Sequence, residues 1–312
     1  LWVLDDLTVL HQLQPNNRSA QTLLFKPKES YRTKGRGGKS SLTAGTNLPN
    51  GVIVHYFLKN YDAKKDTVEL QFQSNDGAVI KTYSTKDKKN KLEVKAGGNE
   101  FVWNTRYDGA EKLDGMIFWS ASFSGAKAVP GSYKVRLVVN GKEHMQDFTI
   151  LPDPRSESSV ADMQKQFDFV NDVNQNVDKA HKAIKNIREI RSKLKDFTKQ
   201  NKTDSTATQL VNQAKTIQDD LLEVEKTLYQ TQNRSNQDPL NFPIRLTNKL
   251  GHLNRLLTID DFPPTNQDIA VKEELTAAVK TAMKQYQTII DSDVASFNEL
   301  FKKEKRNYLG TE

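Results

Sequence analysis

The chain contains no cysteine. That removes disulfides, thiolate metal sites and a cysteine nucleophile in one step. It also lacks any run approaching the ~18–20 apolar residues that a membrane-spanning helix needs. Its five histidines, His11, His55, His144, His181 and His252, never stand at the four-residue spacing of a helical metal pair. No Gly-x-Ser-x-Gly elbow is present. The adjacent acids Asp5-Asp6, Asp219-Asp220 and Asp260-Asp261 do not supply the cross-cleft geometry of a carboxylate pair in glycoside hydrolysis. These gaps predict a region that is not an enzyme, with no catalytic residue, no cofactor and no metal.

What is present is charge, 46 basic against 39 acidic residues for a net +7. The basic residues are scattered. Lys86, Lys88, Lys89 and Lys91 share one loop, and Lys302, Lys303, Lys305 and Arg306 lie near the end. Nucleic-acid modules concentrate such residues on one face with stacking aromatics, so the expectation is no nucleic-acid partner. Apolar residues make up 36% and charged residues 27%. That balance suits long helices, which need only an apolar stripe.

Residues 1–47 have a strand-like start at 2–7 and then a polar, irregular stretch. Leu1-Trp2-Val3-Leu4 reads like the middle of a strand, which predicts a piece of a longer protein. Residues 34–41 are Gly- and Lys-rich and flexible by composition. They imitate a phosphate-binding loop, yet Thr33 stands where that motif needs its first glycine.

From 51 to 151 the period is that of strands. Residues 52–58 are rich in β-branched and aromatic residues, and Val68, Leu70 and Phe72 alternate with polar neighbours. Further strands are predicted at 78–83, 100–103, 117–123, 132–139 and 143–150. Asn75-Asp76-Gly77 and Asn140-Gly141 are hairpin signals. Seven short strands at this spacing predict a β-sandwich, with Trp103 in its core. An aromatic on the wet face of such a strand stacks on a sugar ring, whereas one on the dry face is core. Tyr56, Tyr83, Trp119 and Tyr133 are the ligand-stacking candidates, and both readings stay open for each.

Two prolines in 151–155 make a rigid linker. Beyond it Met163, Phe167, Val170, Val173, Val177, Ala180, Ile184, Ile187, Ile190 or Arg191, Leu194 and Phe197 recur at steps of three and four. That predicts one helix of about 40 residues, about 60 Å long. A second seam runs from Ala207 to Leu228, and a short one carries Leu246, Leu250, Leu253 and Leu257. The last helix opens at Thr265, an N-cap with Asp268 three residues on. The short connections favour an antiparallel bundle closed within the chain over an intermolecular coiled coil.

Four segments carry a resemblance. They are Trp2-Val3-Leu4-Asp5-Asp6-Leu7-Thr8, Asn47-Leu48-Pro49-Asn50-Gly51-Val52, Asn99-Glu100-Phe101-Val102-Trp103-Asn104-Thr105-Arg106-Tyr107 and Pro130-Gly131-Ser132-Tyr133-Lys134-Val135-Arg136-Leu137. In this order, over roughly residues 1–200, the chain resembles the C-terminal region of large secreted bacterial proteins with a sortilin-like, BNR-repeat β-propeller. Those proteins are often labelled glycosyl hydrolase-like. The resemblance implies a division into the end of a preceding propeller with a linker (1–47), an immunoglobulin-like β-sandwich (48–151), a proline linker (152–158) and a helical bundle (159–312). It implies a secreted, periplasmic or cell-surface location, and any hydrolase residues would belong to the propeller.

The expected function is a non-catalytic structural and interaction module. Its partner would be a protein of the cell envelope or its own propeller. Two alternatives are an accessory carbohydrate-binding region and a helical adaptor that pairs with another helical protein.

Overall fold

In the computed structural model the described residues are 6–33 and 48–304. Of the strand-like start at 2–7, residues 2–5 lie outside them and residues 6–7 are not in a strand, while the Gly- and Lys-rich run at 34–41 lies outside them altogether. The fold is mixed, 43% helical and 20% strand. It divides into two compact units. The first gathers Leu1–Asp108, Gly125–Phe167 and Asp260–Pro263, and the second gathers Gly109–Ser124, Asp168–Ile259 and Pro264–Glu312.

The first unit opens with a helical turn, α1 (Thr8–His11), and two three-residue strands, β1 (Thr22–Leu24) and β2 (Ser30–Arg32). Then come β3 (Val52–Leu58), β4 (Val68–Ser74), β5 (Val79–Ser84) and β6 (Gly97–Trp103), and last β7 (Gly131–Val139) and β8 (Lys142–Pro152). The strands form a three-stranded sheet, β1-β3-β6, and a five-stranded one, β2-β8-β7-β4-β5. The larger sheet is curled into a half-barrel.

Alternation along β3 buries Val52, Val54, Tyr56 and Leu58. They share one apolar core with Leu70, Phe72, Val135, Leu137, Phe148 and Ile150 of the other sheet. Trp103 is fully buried and stacks on Phe72 at 4.5 Å between ring centroids. Its indole N–H donates to the Arg106 carbonyl at 3.3 Å.

Two readings of the sequence are corrected here. Residues 6–33 are not all irregular, since β1 pairs with β3 and β2 pairs in parallel with β8. Strands of three residues are too short to show a period. The predicted strand at 117–123 does not form, for reasons given below. Asn75-Asp76-Gly77 turns the chain between the antiparallel strands β4 and β5, with Gly77 N–H donating to the Ser74 carbonyl at 2.9 Å. Gly77 takes a positive φ of 90° and the ladder shifts register at Phe72/Gln73. Asn140 and Gly141, with φ of 50° and 81°, do make the expected tight hairpin.

The second unit is built on α2 (Val160–Gln200), whose first residues are counted with the sheets. A Ser159–Asp162 capping box starts it, with Asp162 N–H donating to Ser159 Oγ at 3.1 Å. Next come α3 (Thr208–Leu228), α4 (Leu246–Leu257) and α5 (Asn266–Thr288). The Thr265 capping box at the head of α5 is present as the sequence predicts. A π-helical turn (Ile289–Val294) joins α5 to α6 (Ala295–Lys303).

Contacts along α2 give the chain directions. Asp172 pairs with Lys272 at 2.7 Å, Asn186 donates to the Tyr286 hydroxyl at 2.5 Å, and Phe197 meets Phe297 at 5.5 Å. The offset stays constant, so α5 and α6 run parallel to α2. Arg191 instead bonds both Glu225 and, farther back on α3, the Gln218 carbonyl, while Arg188 pairs with Glu225. So α3 runs antiparallel to it.

The deepest charge in the first unit is Arg32, 2% exposed on β2. Its guanidinium donates to the Ala128 carbonyl at 3.1 Å and to Gln166 at 3.1 Å, and pairs with Asp261 at 2.5 Å. Burial pulls its pKa down while Asp261 opposes the shift. Removing one partner from such a pair leaves an uncompensated charge, which costs about 3–5 kcal/mol. Asp261→Ala is therefore expected to lower the urea midpoint strongly. The double variant Arg32→Met/Asp261→Leu should recover most of the loss, and a double variant as unstable as the single one would refute this account.

Candidate interaction surfaces

Two open clefts of the first unit are lined by described residues. One, of about 590 Å³, is lined by Val9, Phe25, Val94 and a strip of β3 and β6. There His55 Nδ1 stands 3.8 Å from the Glu100 carboxylate, and Asn99 accepts from the Lys95 N–H at 2.9 Å. The other, of about 570 Å³, is lined by His11, His144, Met145 and several carboxamides. Those carboxamides already hold backbone. Gln12 brackets Lys26, accepting from its N–H at 2.7 Å and donating to its carbonyl at 3.0 Å. Gln146 donates to the Leu24 carbonyl at 3.1 Å. Among the described residues no group of three or more His, Asp or Glu could hold a metal ion.

The densest polar network lies in the second unit, around residues 109–124. The strand that the sequence predicts at 117–123 falls within this ribbon. Among the described residues the ribbon has no strand partner, and Ser120 takes a positive φ of 53°. Its backbone polar groups are instead met by side chains of the helices. Asn248 of α4 grips Trp119 at both groups, accepting from its N–H at 2.7 Å and donating to its carbonyl at 2.8 Å. This mimics the paired bonds of a neighbouring strand.

The same pattern continues along the ribbon. Tyr229, just past α3, accepts from the Ile117 N–H at 2.9 Å. His252 Nδ1–H donates to the Ser120 carbonyl at 3.0 Å. Asn174 and Asn254, buried and bonded to each other at 2.8 Å, both donate to the Ser124 carbonyl. The ribbon approaches α4 closely enough that Ser122 N–H bonds the Gly251 carbonyl at 2.8 Å. A Cβ at Gly251 would meet the Phe123 ring at 2.6 Å, so glycine is required there by space.

At the other end of the ribbon stands His181 of α2, 1% exposed. Its Nδ1–H donates to the Glu111 carbonyl, while Nε2 is buried with no hydrogen-bond partner among the described residues. The rings of Phe118 and Phe123 lie 5.7 and 5.4 Å away. Burial pushes the imidazole pKa below its ordinary value, and Arg188 adds to this. Asp178 and Glu111 oppose the shift. Asp178 itself is engaged by the Glu111 N–H at 2.7 Å and by Lys182 at 3.2 Å. Lys112 sits over the Phe118 ring at 5.8 Å.

The four stacking candidates separate. Tyr56 is 1% exposed, its hydroxyl unpartnered among the described residues and its pKa pushed up to about 12 by burial. Tyr133 is buried, lies against Phe148 at 5.8 Å and donates to the Val129 carbonyl at 2.6 Å. Neither presents a ring face to a sugar, because both point from the strands into the shared core. Tyr83 is half-buried between Phe72 and Phe101. Trp119 alone is exposed, at 41%, and it lies on the ribbon of the second unit instead of on a strand. The partners His181, Asn248 and His252 were not recognised as such in the sequence. The one signal available, polar residues on the apolar stripes of α2 and α4, reads equally well as a helix surface.

No protein-family model matches the chain, and no curated protein does. Among solved structures, a chain described as pT26-6p aligns with 76% of this chain and 46% of its own length, at 9% identity and a TM-score of 0.14. The present chain thus spans less than half the length of that one.

His181 makes stability depend on pH. In the unfolded chain histidine takes its proton near pH ~6.5. In the folded chain it takes it only at lower pH, so the stabilisation is complete above about pH 6.5 and is lost as pH falls from there through the lower folded-state pKa. Urea midpoints taken from about pH 7 to about pH 5 should fall more steeply for the native chain than for His181→Asn, which keeps a donor near the Nδ1 position and does not titrate. Parallel curves would remove His181 from the cause.

Proposed function

We propose that the chain is a non-catalytic structural and interaction module of a larger secreted or cell-surface bacterial protein. In this reading the first unit is an immunoglobulin-like β-sandwich and the second an antiparallel bundle of long helices. The bundle presents the ribbon 109–124 to a protein partner or to another part of the same protein.

The observation that carries the reading is Trp119. Its backbone is fixed at both polar groups by Asn248 while its indole is left in water. Binding residues are placed on loops held by a rigid frame. A tryptophan that loses little freedom on docking suits an interface anchor. Also in support, His181, His252, Tyr229 and Asn248 all hold ribbon backbone. The side chains that carry chemistry near Trp119 thus serve position.

A second reading has the same indole stack on a carbohydrate, as an accessory region of a propeller protein. One pair of experiments separates the two. A photo-crosslinking amino acid at position 119, in the intact protein in its own cells, is expected to give a discrete protein adduct. Polysaccharide binding that disappears in Trp119→Ala, without a protein adduct, would favour the carbohydrate reading. Absence of both would end the role assigned to Trp119.

A further inference from the structure

The strand register of the first unit brings three loops to one end. Val68 pairs with Val139 and Glu69 with Ser84, so the connection before β4, the one after β5 and the β7–β8 hairpin lie side by side. Hydrogen bonds join them. Thr67 N–H donates to Asn140 Oδ1 at 2.8 Å, Asn140 Nδ2 donates to Asp66 at 2.9 Å, and Thr85 N–H donates to the Val68 carbonyl at 3.0 Å. Onto this end the chain places Lys64 and Lys65, then Lys86, Lys88 and Lys89, then Lys142, all exposed.

The acids of the same loops are largely occupied. Asp66 accepts from the Asp62 N–H at 2.7 Å, Asp62 from the Lys64 N–H at 2.9 Å and Asp87 from the Lys89 N–H at 2.7 Å. Glu143 pairs with Arg136. Lys65 makes only a 3.8 Å contact with Asp62. Among the described residues the other five lysines make no ion pair.

We propose that this end of the sheet unit docks an anionic polysaccharide. A group of ammonium ions on flexible stems, five of the six without an ion pair among the described residues, attracts a polyanion and imposes little geometry on it. The three loops contain no arginine, and Tyr61, their one aromatic residue, is packed against the core. There is no fork or platform with which to read or stack nucleic-acid bases. None of the large exposed apolar side chains falls in these loops, so nothing there would enter a bilayer. A polymer of acidic sugars presents charge without bases or acyl chains. The surface is independent of Trp119 and stands whatever that residue contacts.

The test measures binding of the intact chain to polygalacturonate, to duplex DNA and to phosphatidylglycerol vesicles, between roughly 50 and 200 mM salt. Salt-sensitive binding to polygalacturonate is expected, tighter than to either of the others. Lys86→Glu/Lys88→Glu/Lys89→Glu should weaken it by about tenfold or more, and Lys64→Gln/Lys65→Gln by a smaller factor. Lys215→Glu/Lys280→Glu/Lys284→Glu, with the same charge change on the helices, should leave it nearly unaltered. Equal losses in the two triple variants would mean net charge alone is at work and overturn the proposal. So would tighter binding to DNA or vesicles, or no binding at the lowest salt.

Discussion

A peptide N–H or carbonyl withdrawn from water must find a partner, and in the second unit that demand falls on residues 109–124. Among the described residues they have no strand beside them, so the demand passes to the helices. It explains why Asn248 and Asn254 stand buried on α4 and Asn174 and His181 on α2, positions where a helix core would otherwise carry aliphatic residues. It also explains why Gly251 lies mid-helix despite the intrinsic cost of glycine there. The unsatisfied Nε2 of His181 is the other side of this solution. A donor was required at Nδ1, and the ring's second nitrogen was left without a hydrogen-bond partner among the described residues.

The same logic organises the first unit around a charge. Arg32 joins three distant pieces of chain, the carbonyl of Ala128, the Gln166 side chain near the start of α2, and Asp261 on the connection between α4 and α5. Gln166 in turn donates to the Phe262 carbonyl at 3.0 Å. Such a cluster adds little net stability, because desolvation offsets most of the attraction. It does disfavour arrangements that leave the guanidinium unpaired, and so selects one placement of these segments.

Much of the fold could be read along the chain. The alternation in 52–58 and 68–74, the Asn140-Gly141 hairpin, the long seam of α2 and the Thr265 cap all reappear in the structure. The candidate site was far less legible. Trp119 was identified as a residue of interest but placed on a strand. Of the three tyrosines grouped with it, Tyr56 and Tyr133 are core. Alternation tells which side chains share a face. It does not tell which face is dry until the second sheet is in place.

Local chemistry therefore settled the elements, since side-chain period, turn residues and caps act within a few bonds of the backbone they shape. Tertiary closure settled the partners. Trp119 and Asn248, Arg32 and Asp261, and the three lysine-bearing loops are far apart in sequence, and no local period links them. A hydrogen bond or a shared field depends on distance through space. Only the strand register and the helix packing bring those groups within a few ångströms of one another.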